Sequence, residues 1–183
     1  AETERFKPLF PDCDVIGLDY KSTTPWDAEK EFLSAFADLK KEYTGIILIA
    51  NSIGAFFSLS ARIDRFIEKA YFISPVVAME DLILKMMAEA GVDEKTLEEK
   101  GEIILPYGET LSWKYLCYVR GNKITWNAPT EILYGGNDAL IPYKTVRAFA
   151  QAHRAAVTVM DGGEHWFHTE KQLKFLDDWL SDR

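Results

Sequence analysis

Cysteine, histidine and clustered positive charge are all scarce in this chain, and each shortage closes off a class of function. The 183 residues include two cysteines, Cys13 and Cys117, and three histidines. The cysteines are far apart, form no CxxC and have no histidine at ligand spacing, so neither a zinc site nor a disulfide framework is readable. Both are read as reduced thiols, which makes the cytoplasm the expected location. The chain begins at Ala1, without an initiator methionine and without a signal-peptide pattern. No apolar run approaches the roughly 18 to 20 residues that a membrane-crossing helix needs, so no membrane partner is expected. Lysine and arginine number 21 against 29 acidic residues, a formal charge of −8. Neutralising a phosphate backbone takes clustered cations, and their absence makes nucleic acid an unexpected partner.

What the chain does have is apolar content, 48% of residues, enough for the core of one domain spanning 1–183. Five apolar segments read as strands: Asp14–Tyr20, Gly45–Ala50, Ala70–Ser74, Thr130–Tyr134 and Ala156–Met160. Most are continuously apolar, as strands buried on both faces of a parallel sheet are. Helical periodicity falls between them. Residues 28–43 carry Phe32, Ala35, Phe36 and Leu39 at spacings of three and four behind Pro25; 53–61, 142–153 and 169–181 follow the later strands. This alternation predicts a three-layer α/β domain. Residues 75–129 exceed the dozen or so residues of a plain crossover. They contain a helical pattern at 79–90 and a concentration of aromatics, and read as a cap inserted in the domain.

Three short segments carry candidate chemistry. Ile49-Ala50-Asn51-Ser52-Ile53-Gly54 puts a serine at the turn from a buried strand into a helix. There small neighbours allow a tight elbow and the helix N-terminus favours negative charge. Leu133-Tyr134-Gly135-Gly136-Asn137-Asp138 puts an aspartate past the end of the fourth strand, on the edge where open parallel sheets gather functional groups. Asp161-Gly162-Gly163-Glu164-His165-Trp166 puts a histidine past the fifth. Each has a plainer reading taken alone: an N-cap serine, a helix-capping aspartate, a surface histidine. Their order, Ser, Asp, His, each after a different strand, is a topological property of one fold.

On these segments, and on Ile141-Pro142 after the second, the sequence resembles the α/β-hydrolase superfamily over roughly residues 14–182. The resemblance implies a three-layer α/β-hydrolase-like parallel sheet with a small cap at 75–129 and with the N-terminal strands missing. It assigns Ser52, Asp138 and His165 to a catalytic triad, and the Ile53 backbone N–H to one oxyanion donor. Ala50 stands where the family usually carries glycine. The family's strand between the equivalents of Asp14–Tyr20 and Gly45–Ala50, whose loop gives the second oxyanion donor, has no counterpart. The expectation is a fragment, or a strand supplied by another polypeptide.

The expected function is therefore a serine hydrolase of the carboxylesterase kind, cleaving a small carboxylic ester, thioester or amide through an acyl-enzyme on Ser52. A serine nucleophile disfavours alkyl-transfer chemistry, and the mechanism calls for no metal or organic cofactor. Met86, Trp113 and Trp126 are the expected substrate-binding residues, within an apolar cap set that otherwise serves to bury the cap's own inner face. The alternatives are a non-catalytic small-molecule receptor or scaffold on the same fold, and an inactive fragment lacking the oxyanion loop.

Overall fold

In the computed structural model, which describes residues 2–181, the chain opens with a short helix α1 (Glu2–Phe6) and a 3-10 turn at Lys7–Leu9. Residues 14–23 form neither helix nor strand. Helix α2 (Pro25–Glu42) starts with proline in its first turn, where no backbone donor is needed, and ends on Lys40 and Lys41 near the negative end of its dipole. Its buried stripe is Ala28, Phe32 and Phe36. Strand β1 (Ile47–Asn51) runs directly into α3 (Ser52–Ser60), and β2 (Lys69–Ile73) follows. The cap contains α4 (Met79–Glu89), α5 (Glu94–Lys100), a hairpin of β3 (Glu102–Ile104) and β4 (Thr110–Ser112), and α6 (Trp113–Gly121). The chain then returns through β5 (Thr130–Gly135), α7 (Tyr143–His153), β6 (Ala156–Met160) and α8 (Glu170–Ser181).

The main sheet is parallel, in the order β1-β2-β5-β6. Side-chain alternation divides its two faces. Ala50, Ala70, Phe72, Ile132 and Tyr134 join one core with α2, α3, α7 and the cap. Tyr71, Ile73 and Leu133 join a second with Leu176, Trp179 and Leu180 of α8, where Phe6, Leu9 and Phe10 also pack. Arg5 fixes α1 to α8 through the Asp177 carboxylate at 2.6 Å and the Leu173 carbonyl at 2.8 Å. The three-layer α/β architecture read from the sequence is the one observed. Ala1, Asp182 and Arg183 lie outside the described residues, so the first and the last two residues of the expected 1–183 domain go undescribed.

Four of the five expected strands form, within two residues of the expected bounds. The fifth does not. Among the described residues Asp14–Tyr20 joins no sheet, and a cleft of about 1410 Å³ separates it from β1, the strand expected two places along the sheet. A strand is defined by its neighbour's backbone, and no described strand lies beside this segment. The charged run at 93–100 is helical as α5, with Asp93 capping it by accepting from the Thr96 N–H at 2.8 Å.

Candidate active site

Each candidate residue sits where a β-strand gives way to a turn at the carboxyl edge of the sheet. Ser52 follows β1 with φ of +48°, a left-handed conformation that a non-glycine residue adopts only when its surroundings impose it. The imposition is visible. Asn51 is still extended, Ile53 is already helical, and the Ser52 carbonyl accepts from the Val76 N–H at 3.2 Å, tying the turn to the segment that leaves β2. The Ile53 N–H belongs to the unsatisfied first turn of α3.

The aspartate and the histidine are brought together by glycine. A Cβ on Gly135 would lie 2.5 Å from the Glu164 carbonyl oxygen and 2.6 Å from that of Gly163. One on Gly163 would lie 3.1 Å from the Gly135 Cα. The two loops thus cross backbone against backbone, and two hydrogen bonds lock them: Gly136 N–H to the Met160 carbonyl at 2.9 Å, and Asn137 N–H to the Gly163 carbonyl at 2.7 Å. The Tyr134 hydroxyl donates to the Ile141 carbonyl at 2.8 Å and pins the far end of the Asp138 turn.

The result is a linear relay. The Ser52 hydroxyl lies 2.8 Å from His165 Nε2, and His165 Nδ1 lies 2.7 Å from Asp138 Oδ2. The second carboxylate oxygen of Asp138 accepts from the N–H groups of Leu140 at 2.8 Å and Ile141 at 3.0 Å. Burial pushes the Asp138 carboxyl up. The hydrogen bond and charge of His165 and the two backbone donors outweigh it and hold the group below the ordinary aspartate range. A carboxylate kept ionised, facing the Nδ1 edge of an imidazole whose Nε2 faces a hydroxyl, selects the tautomer that accepts the serine proton.

The cap residues fare differently. Trp126 is buried against Phe72 and donates its indole N–H to Thr130 at 2.7 Å, at the amino end of β5. That is the end of the sheet away from Ser52, Asp138 and His165, so Trp126 is a core residue and not the substrate-binding residue expected from the sequence. Met86 and Trp113 are half-buried and pack against the main core. Met79, Ile83, Met87 and Leu116 are buried in the same core, so much of the cap's apolar surface covers its own inner face. Neither His153, held by the Trp126 carbonyl, nor His168 takes part in the relay.

Two features escaped the sequence reading. Trp166 is exposed and stands edge-on to the His165 ring, with centroids 5.1 Å apart, at the mouth of the relay. Its adjacency to His165 was the available signal. Ser74, at the end of β2, has φ of +43° and a fully buried hydroxyl without a hydrogen-bond partner. Nothing in a Ser-Pro pair announces that.

No family model matches the sequence, and neither does any curated protein. Solved structures do match. Est1E from Butyrivibrio proteoclasticus superposes with a TM-score of 0.71 at 17% identity, over 87% of this chain and 69% of its own. An alpha-beta serine hydrolase homologue from Coxiella burnetii gives 0.57 at 17%, over 93% and 64%. A monoacylglycerol lipase from Paleococcus ferrophilus gives 0.57 at 17%, over 98% and 90%. The fold is that of the α/β hydrolases. At such identities the likeness is one of fold, and this chain spans about two thirds of the length of the first two.

Proposed function

We propose that this chain is a serine hydrolase that cleaves a small carboxylic ester, thioester or amide through an acyl-enzyme on Ser52. The observation that carries the reading is the Ser52–His165–Asp138 relay, with both links at hydrogen-bond length and the elbow serine in a strained turn. His165 Nε2 takes the Ser52 proton as Oγ attacks the carbonyl carbon, and returns it to the leaving alcohol, thiol or amine. Water then attacks the acyl-enzyme with the same base. Asp138 stays ionised and orients the ring throughout. The Ile53 N–H and the α3 N-terminus stabilise the oxyanion.

Ile53 and Trp166, both exposed beside the relay, offer apolar surface to the substrate, and Met86 and Trp113 are the cap residues proposed to extend it. The elbow itself supplies one oxyanion donor, the Ile53 N–H, and the resemblance puts the second on a loop that has no counterpart in this sequence. Residues 2–9 are instead occupied with α8. Loss of one such donor lowers turnover by roughly 100- to 1000-fold, so weak activity is expected of the chain alone. That same observation favours the second reading, an inactive scaffold on this fold.

A fluorophosphonate probe separates the two. Stoichiometric labelling mapped to Ser52 by mass spectrometry, and absent in Ser52→Ala, is expected of the hydrolase. An adduct on Ser58 or Ser74, or none at all, would overturn it.

A further inference from the structure

Lys85, on α4 of the cap, reaches out of its own helix into the turn that carries Asp138. A lysine in a helix ordinarily pairs with a carboxylate one turn away, and Asp81 and Glu89 stand four residues to either side of it. Among the described residues Lys85 pairs with neither. Its ammonium donates instead to the Ala139 carbonyl at 2.8 Å, with the Leu140 carbonyl at 3.5 Å. No backbone N–H of the described residues reaches either oxygen. The lysine thus takes two neutral acceptors on a loop of the sheet over two anions on its own helix.

Those carbonyls belong to the two peptide groups that already serve the relay. The Ala139 carbonyl shares its peptide plane with the Leu140 N–H, and the Leu140 carbonyl shares its plane with the Ile141 N–H. These are the N–H groups that donate to Asp138 Oδ1, at 2.8 Å and 3.0 Å. Carbonyl and N–H point in opposite directions from a trans peptide, so each plane has the ammonium on one side and the carboxylate on the other. The Asp138 side chain is wholly buried, and its other oxygen faces His165 Nδ1. Its charge is therefore held by His165 and these two amides. A cation on the carbonyl end polarises a peptide group and strengthens the bond made at its N–H end.

We propose that Lys85 is a positioning residue of the candidate active site, a cap ammonium that fixes the Asp138 carboxylate through the two peptide groups between them. Its hydrogen bonds reach neither Ser52 nor His165, so it acts through the aspartate. Any effect on turnover rests on the hydrolase reading, whereas the link itself rests on the hydrogen bonds alone. The cap enters the argument because α4 also buries Met79, Ile83 and Met87 in the main core, and the seat of that helix sets where the ammonium lies. Seating of the cap and orientation of the acid are thereby coupled.

The test compares Lys85→Met, which keeps the stem and removes the charge, with Lys85→Arg, which keeps the charge. In the isotopically labelled chain, Lys85→Met should move the Leu140 and Ile141 amide protons upfield, as weaker bonds to the carboxylate require, and Lys85→Arg should restore them. Turnover of p-nitrophenyl acetate should fall roughly tenfold in kcat with KM changed less than about twofold, and Lys85→Arg should recover most of it. Ser52 labelling by a fluorophosphonate should slow by the same roughly tenfold in Lys85→Met, but by less than about twofold when Asp138→Asn is already present, since the two residues act in one chain. Lys95→Met, which removes an exposed cap ammonium beside Glu99, should change none of these readings. Unmoved amides, a loss confined to KM, or an equal slowing in the Asp138→Asn background would each overturn the assignment. Moved amides in a chain whose Ser52 takes no fluorophosphonate would uphold the link and sink the hydrolase reading alone.

Discussion

The two ends of the sheet hold the two halves of the candidate triad, and they are packed in opposite ways. At the β5–β6 end, the loops bearing Asp138 and His165 cross so closely that glycine is the only residue their backbones admit at Gly135. At the β1 end, the strand that delivers Ser52 has an edge that no described strand covers, a wide cleft and a glycine with room beside it. Asp138 and His165 are thus positioned by main chain, which leaves little freedom. Ser52 is positioned by main chain on its β2 side alone. Substitutions at the two ends should consequently differ in sign as well as in size.

The largest effect is expected where the packed end meets the chemistry. Asp138→Asn keeps the shape of the side chain and removes the charge that selects the His165 tautomer. Turnover of a p-nitrophenyl ester should fall by about 10⁴-fold with little change in KM. A loss below tenfold would show that the buried carboxylate is structural and that the relay geometry is not used.

Next in size is Gly135→Ala. Its Cβ would fall within 2.6 Å of two carbonyl oxygens, both main chain, so the loops must separate. Overpacking of this kind costs about 1–3 kcal/mol. For a chain of this length that corresponds to a drop in thermal midpoint of very roughly 5 °C, readable by calorimetry. Activity should fall further than stability explains, because the same separation lengthens the His165–Asp138 bond. An unchanged midpoint would mean that the crossing is slack.

Acid should act on the same end. The folded-state pKa of Asp138 is depressed below its ordinary 3.8, so its ionised form contributes stability that is fully present above that value and is lost as pH falls through the folded pKa. The stability of the wild-type chain relative to Asp138→Asn should accordingly shrink once pH drops below 3.8. A difference independent of pH in urea titrations would refute the assignment of the shift to this carboxylate.

How far these features could be read from sequence follows from how local their causes are. β2 and β5 announce themselves as continuous apolar runs because both of their faces are covered. The Gly-Gly pairs before Asp138 and His165 are legible for a similar reason, since a close crossing leaves a residue type behind it. Asp14–Tyr20 has the composition of a strand and is none, because pairing depends on a partner distant in sequence or in another molecule. Trp126 misled for a related reason. An indole in the cap region is equally consistent with a pocket wall and with a core, and what decides is its Thr130 hydrogen bond at the amino end of β5. The exposed edge of β1 leaves no mark at all in its apolar sequence.

The smallest effect, at the open end, sharpens the contrast most. Gly54 lies in the first turn of α3, where a Cβ would meet the Tyr20 hydroxyl at 3.8 Å, an ordinary contact. Its backbone is helical, not left-handed, so alanine is conformationally acceptable there. Replacing glycine by alanine within a helix typically adds roughly 0.5–1 kcal/mol by reducing the freedom of the unfolded chain. Gly54→Ala should therefore raise the thermal midpoint of the chain alone by a few degrees, the reverse of Gly135→Ala. A lowered midpoint would mean that the open end is packed after all.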